Sequence, residues 1–579
     1  MWKRSILAGT ALALALALGL SAAAGAAERP NIILIVLDDV GFSDLGPFGS
    51  EIRTPNIDAL ARDGLRYNRF DTKAVCTPTR AALLTGRNPQ TVRMADLPAD
   101  KPDQANMTKD RGELPVNAQT VAQVLQTAGY RTYGFGKWHL GPEYEDGTDG
   151  NNGSWPLQRG FDQFYGFYLG WTDQYRPKLI EGNRSLPDAP LAPDYHFSAD
   201  IVDHTITALG NGGQENPAFV YLAFGAAHSP IQAPRAYIDH YAGVYDQGWD
   251  ALREQRLARM KSMGILPQNT VLPPRNAGDR AWDSLTPTEK KVFARFMEVY
   301  AGFIEHTDAQ IGRLVAHLKQ TGQYDNSLIM LVSDNGAASE AGQNGFFERM
   351  YRPNTLTPEQ MLARIDELGT EKTQSEYPRP WAMAGVTPFR RYKVWPYLGG
   401  VRAPLIVSWP KAIRDGGGIR GQYVDAVDIA PTLVDAAGTR FPEETAGQAE
   451  IPVAGSSIRA SFTQANAPSV REAQYFELRG NRAIRVGDWR AVSLHRPGTP
   501  FDSDCWELFN LADDFSESRN LASQHPEKLA ELKQRWWREA GQFSQPTIAE
   551  MPERFARRER FDPADAQAAC VGSGQGEGK

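Results

Sequence analysis

The sequence predicts an α/β fold: a large, mostly parallel mixed sheet sandwiched by helices, then a smaller C-terminal region of short strands and one helix. Three observations lead there. Short apolar runs each end in Gly, Asp, His or Asn, as strands buried on both faces do. Helical patterns lie between the runs, which is the grammar of a parallel sheet. From Gly438 to Pro468 the chain turns rich in Gly, Pro, Ala and Glu, and closely spaced strand patterns follow.

The runs have a common form. Asn31–Leu37 runs into Asp38-Asp39, and Tyr130–Phe135 into Gly136-Lys137-Trp138-His139. Phe219–Phe224 leads to His228, Leu328–Val332 runs into Ser333-Asp334-Asn335, and Pro404–Val407 follows Lys393. Helical patterns cover Asn56–Asp63, Thr120–Ala128, Phe293–Gly322 and Val427–Ala437. Ligands of such sheets bind beyond the carboxyl ends of the strands, so one crevice could collect these polar residues. C-terminal strand patterns occupy Ala473–Leu478, Arg482–Val486, Trp489–Ser493 and Trp506–Asn510, with a helical pattern at Pro526–Ala540. The expected division is 28–440 for the main domain, 441–560 for the C-terminal subdomain and 561–579 for a polar, flexible tail.

The N-terminus reads separately. Lys3 and Arg4 precede an apolar run, Ile6–Leu20, and small residues follow to Ala27. That is a Sec-type signal peptide over 1–27, and the run falls short of the ~20 apolar residues of a membrane span. The expected mature protein is periplasmic or secreted, with no membrane partner after cleavage. A net charge of −7 argues against nucleic acid as a partner. There are three cysteines, Cys76, Cys505 and Cys570. In an exported chain an odd count leaves one thiol over. Cys505 and Cys570 could pair, although spacing does not fix connectivity.

Adjacent carboxylates repel unless a cation or proton intervenes. Asp38 and Asp39, with Asp334 and Asn335 at a second strand end, offer oxygen donors suited to a hard cation, and Ca²⁺ accepts such a set readily. An Asp pair after a strand is also often only a turn or helix cap. Arg80, Lys137, His139, His228 and Lys393 are candidates to surround an anion. Alone, His228 reads as structural and Lys393 as solvated. If the chain is helical from Thr79, the helix N-terminus and Arg80 face an anion near residue 76.

Cys76-Thr77-Pro78-Thr79-Arg80, followed by Leu84-Thr85-Gly86-Arg87, resembles the signature of the type I sulfatases of the alkaline phosphatase superfamily. The other segments occur in family order over 31–522, and Phe224–Pro234, Tyr245–Gly264 and Tyr392–Pro404 look most like bacterial arylsulfatases. The resemblance implies that a formylglycine-generating enzyme converts Cys76 to an aldehyde before the chain folds. It implies Asp38, Asp39, Asp334, Asn335 and residue 76 around one divalent cation, with Arg80, Lys137, His139, His228 and Lys393 as the sulfate-binding and proton-transfer set. A hydrated aldehyde attacks sulfur, His228 or Lys393 assists the leaving oxygen, and His139 takes the proton that expels sulfate. It further implies that the C-terminal strands form a small antiparallel sheet with a packed helix, Trp506–Leu511 and Ser518–Ala522 being its marks.

The expected substrate is a small-molecule sulfate ester, with an aryl leaving group. The insertion Gly336–Arg391 carries Phe346, Phe347, Tyr351, Trp381 and Phe389, which either hold that group or pack the insertion. Alternatives are a phosphonate monoester hydrolase or phosphodiesterase of the same superfamily, and an inactive exported binding protein of the same fold.

Overall fold

The computed structural model describes residues 29–98, 112–142, 153–188, 192, 194–210, 215–352, 354–496 and 498–543. The expected signal peptide, the tail and Cys570 lie outside the described residues. Among the described residues, no helix is long and apolar enough to cross a membrane.

Ten strands form the main sheet: β1 Asn31–Leu37, β2 Leu65–Tyr67, β3 Arg131–Lys137, β4 Gln163–Phe167, β5 Ile180–Glu181, β6 Arg184–Ser185, β7 Ala218–Ala223, β8 Ser327–Ser333, β9 Leu405–Ser408 and β10 Gly418–Arg420. Their order is β10-β2-β9-β8-β1-β7-β3-β4-β5-β6. The centre is parallel, with β1 between β8 and β7, and β3 between β7 and β4. Both faces of β1 are buried by alternation: Ile33, Ile35 and Leu37 enter one core, and Ile32, Leu34 and Val36 the other.

Helices cover both faces. The first core takes residues of α1 (Pro55–Asp63), α4 (Phe197–Leu209), α5 (Gly248–Ser262) and α6 (Pro287–Gln320). The second takes residues of α2 (Cys76–Thr85), α3 (Val121–Thr127) and α7 (Ile429–Ala436). α6 starts at a capping box, with Thr286 accepting from the Glu289 amide and Pro287 at its first position.

The structure settles two points that the sequence leaves open. The helix carrying the signature begins at Cys76 itself rather than at Thr79. Val75 is the extended N-cap, and Pro78 is tolerated because the first-turn amides have no intrahelical acceptor. β9 runs antiparallel to β8, pairing Leu405 with Val332 and Ser408 with Ile329. Its leading end therefore lies at the carboxyl end of β8, and that reversal brings Lys393, which precedes the strand, to the crevice.

The C-terminal strands, β11 Ala473–Leu478, β12 Asn481–Val486, β13 Trp489–Ser493 and β14 Trp506–Asn510, form an antiparallel sheet in sequential order. Tyr475, Ile484, Ala491, Trp506 and Leu508 pack under α8 (Pro526–Phe543) through Leu529, Leu532 and Trp536. The opposite face, with Phe476, Ala483, Val492 and Phe509, joins the main core.

Candidate active site

Asp38 and Asp39 leave β1, Asp334 and Asn335 leave β8, Lys137 ends β3, and His228 follows β7. These are adjacent parallel strands, so their carboxyl ends share one crevice. The ends are tied together: Asp38 N donates to Ala226 O at 2.8 Å, Asp334 N to Leu37 O at 3.1 Å, and Ala227 N to Asp38 O at 2.7 Å. Gly136 is required beside Lys137. Its φ is +104°, and a Cβ would stand 1.8 Å from Ala223 O.

Residue 76 sits at the start of α2, all ten of whose residues are buried. Thr79 Oγ1 accepts from the Lys73 amide at 2.9 Å, closing the loop before residue 76. The Cys76 Sγ marks where the oxygens of a formylglycine would stand. It lies 3.3 Å from His139 Nδ1. Burial raises the thiol pKa above its usual value, with Lys137 and Lys393 opposing. A buried neutral thiol is a poor nucleophile as encoded.

All the sequence-predicted site residues are buried and gathered here. Lys137 Nζ donates to Asp38 Oδ2 at 2.7 Å. Lys393 Nζ lies 2.9 Å from Asp39 Oδ2 and 2.8 Å from Glu340 Oε1. Arg80 is wholly buried; its Nε donates to Asp334 Oδ2 at 2.8 Å and its Nη1 to Tyr221 Oη at 3.4 Å. The structure thus sets Arg80 behind the carboxylates. His228 Nδ1 donates to Ser229 O at 2.6 Å, which leaves Nε2 facing Asp39 Oδ2 at 3.6 Å. Burial takes the His228 pKa well below its usual value against the pull of Asp39. Burial also opposes the ionised form of Asp39, yet Lys393, then His228 and Lys137, hold it down to about 2. Burial pushes Asp38 well above the carboxylate range, with Lys137 opposing.

Oxygens of Asp38, Asp39 and Asp334 lie within 4.8 Å of one another. Asp38 Oδ1 and Asn335 Oδ1 are buried acceptors without a hydrogen-bond donor. Desolvated acceptors of this kind cost free energy unless something positive meets them. With only oxygens in the set, Asp38, Asp39, Asp334 and Asn335 fit a hard divalent cation such as Ca²⁺. Asp39 and His139 hold φ of 60° and 55°, as Ala74, Arg391 and Val394 hold 65°, 61° and 78°. Non-glycine residues in this region cost about 1–3 kcal/mol each and cluster at functional sites.

The insertion aromatics divide. Phe347, Trp381 and Phe389 are core residues, Trp381 packing edge-on to Trp249 at 5.3 Å between centroids. Phe346 and Tyr351 are half-buried with rings 6.2 Å apart. Burial, then Glu340, raises the Tyr351 phenol pKa well above its usual value, and Lys393 opposes. Glu340, Tyr221 and Ser229, with Glu376, whose Oε2 accepts from Ser229 Oγ at 3.2 Å, escaped the sequence reading. Glu340 lies on the loop after Asn335, where a strand-end search could find it, but Glu376 carries no local signal.

The Sulfatase family model matches residues 30–439, and the N-sulphoglucosamine sulphohydrolase C-terminal model matches 391–542. The chain belongs to the sulfatase family. It is 33% identical over 470 residues to an arylsulfatase of Klebsiella aerogenes, covering 78% of this chain and 95% of that one. It is 33% identical over 542 residues to an uncharacterized sulfatase of Schizosaccharomyces pombe, covering 88% and 93%. The crystal structure of Ps i-CgsB in complex with k-i-k-neocarrahexaose shares the fold, with TM-score 0.62, 22% identity, and coverage of 93% of this chain and 99% of that one. Membership supports a sulfuric ester hydrolase acting on a small-molecule sulfate ester, and sulfatases generally use formylglycine and a divalent cation.

Proposed function

We propose that this sulfatase is an arylsulfatase, hydrolysing sulfate monoesters to a phenol or alcohol and sulfate with formylglycine at residue 76 and Ca²⁺ in the Asp38, Asp39, Asp334 and Asn335 set. The observation that carries the reading is Cys76 at a helix start, 3.3 Å from His139 Nδ1, among three buried carboxylates and three buried cations. When present, formylglycine supplies an attacking oxygen and a second hydroxyl, and the cation supplies charge for that oxygen and the sulfate. Lys137 and Lys393 hold the sulfate oxygens. His139 is within reach of a proton on the residue 76 oxygens. Burial works against the charge of Lys393, but Asp39 and Glu340 raise its pKa well above the usual value, so Lys393 Nζ is the group that can give the leaving oxygen a proton. Neutral His228, whose proton is on Nδ1, has none to give from Nε2. Phe346 and Tyr351 supply aromatic surface for the aryl group.

The residue 1–27 pattern supports export to the periplasm or beyond, with a formylglycine-generating enzyme acting before folding. The mass of the tryptic peptide holding residue 76 tests the nucleophile: conversion of thiol to aldehyde lowers it by about 18 Da, and an unmodified thiol in active protein refutes the assignment. kcat/KM for nitrophenyl sulfate against a phenyl phosphonate ester tests the substrate. A preference for the phosphonate above about 1.4 kcal/mol, or tenfold, favours the phosphonate hydrolase instead.

A further inference from the structure

We propose that Glu507 and Glu517 of the C-terminal region, with Arg490 of β13, are positioning residues for Lys393. The inference rests on the reading of Lys393 as a substrate-facing cation. Lys393 lies on a segment without regular structure, between left-handed Arg391 and Val394. Such a backbone persists only where its surroundings over-determine it. From the front, Lys393 N donates to Ala337 O at 3.1 Å and Val394 N to Ala74 O at 2.7 Å, two residues before Cys76.

From behind, the C-terminal region anchors Arg390 and residues 396–398, while the main domain holds the Arg391 amide on Asn276 Oδ1 at 3.0 Å and Tyr392 Oη on Asp279 Oδ2 at 2.9 Å. Glu507 accepts from Arg390 Nη1 at 3.2 Å, from Arg390 Nη2 at 3.4 Å and from Tyr397 Oη. Glu517 Oε2 accepts from the Leu398 amide at 2.8 Å, and Glu517 O from Arg390 Nη1 at 3.3 Å. Arg490 pairs with Glu517 Oε1 and donates to Pro396 O. Glu507, Glu517, Arg490 and Tyr397 are all buried, so these charged hydrogen bonds escape solvent competition. The carboxylates hold the Lys393 segment on both sides, at Arg390 and at 397–398, and Arg490 adds Pro396. None of them reaches the crevice.

A double-mutant cycle decides between positioning and plain stability. It uses full-length protein and whichever of nitrophenyl sulfate and the phenyl phosphonate ester the unmutated enzyme turns over faster, so a phosphonate preference overturns the sulfatase reading and leaves this test intact. Glu507→Gln lowers kcat about tenfold in the parent but less than about twofold in Lys393→Ala, because its effect passes through Lys393. Tyr397→Phe, which keeps the buried ring, shows the same pattern more weakly and stands in where Glu507→Gln fails to fold. Ile484→Val, in the core under α8, lowers the thermal midpoint while kcat below it stays unchanged. Hydrogen exchange over 390–402 rises in Glu507→Gln and Tyr397→Phe and does not rise in Ile484→Val. Equal losses in the parent and Lys393→Ala backgrounds, or unchanged exchange over 390–402, overturn the proposal.

Discussion

The crevice and the C-terminal sheet are built on opposite principles. The crevice packs three buried carboxylates, two acceptors without donors and two of its own residues in left-handed backbone. The C-terminal sheet pairs neighbouring strands in sequential order over an aromatic and aliphatic core, Trp506 and Trp536 among them. Outside the buried Arg490, Glu507 and Glu517 network that serves the Lys393 segment, the sheet supplies stability, whereas the crevice gives it up to hold charge in place. Apart from that network, stability and activity should respond to different residues, and the predictions below test that separation.

The largest effect falls in the crevice. Cys76→Ser leaves a simple hydroxyl, and its sulfate ester has no second hydroxyl to expel sulfate. Turnover of nitrophenyl sulfate should fall at least about a thousandfold, while the thermal midpoint hardly moves. The mirror experiment is Trp536→Ala, which should cost about 3–5 kcal/mol in denaturant unfolding and leave kcat unaltered where the protein remains folded. A large loss of kcat there would break the contrast.

Calcium should act on the crevice alone. At a hundred times Kd it should raise stability by about 2.7 kcal/mol, seen as a higher midpoint in calorimetry, and chelator should reverse the gain together with activity. Asp38→Ala should abolish the shift. A calcium effect that survives in this variant would place the cation elsewhere.

The smallest effect concerns acid. Burial takes His196 down to about 4, with a hydrogen bond to Gln232 O at 3.1 Å opposing. The Ser198 amide donates to its other nitrogen at 3.2 Å, so the ring is held neutral. Its folded pKa is below the unfolded value of ~6.5. The unfolded chain therefore binds the extra proton first, and stability is lost as pH falls from about 6.5 towards 4. At pH 5.5 the loss should be about 1.4 kcal/mol, and His196→Gln should remove it. Thermal midpoints of the parent and of this variant between pH 5 and 7 check it.

The sequence by itself determined the elements and the cast. β1 matches its apolar run from Asn31 to Leu37, and β11, β13 and β14 match their patterns end to end, because hydrophobic alternation and turn residues are local signals. Most residues of the crevice were legible because strand ends and the signature around Cys76 mark them, whereas His228 and Lys393 were legible only through the family resemblance. Only the tertiary structure decided how they meet. The antiparallel β9 that delivers Lys393, the position of Arg80 behind Asp334 and Asp38, the ion pair of Glu340 with Lys393, and the grip of Glu507 and Glu517 on 390–398 all join residues far apart in the chain. Contacts of that kind depend on which strand lies beside which and in what direction, and no periodicity within one segment encodes them.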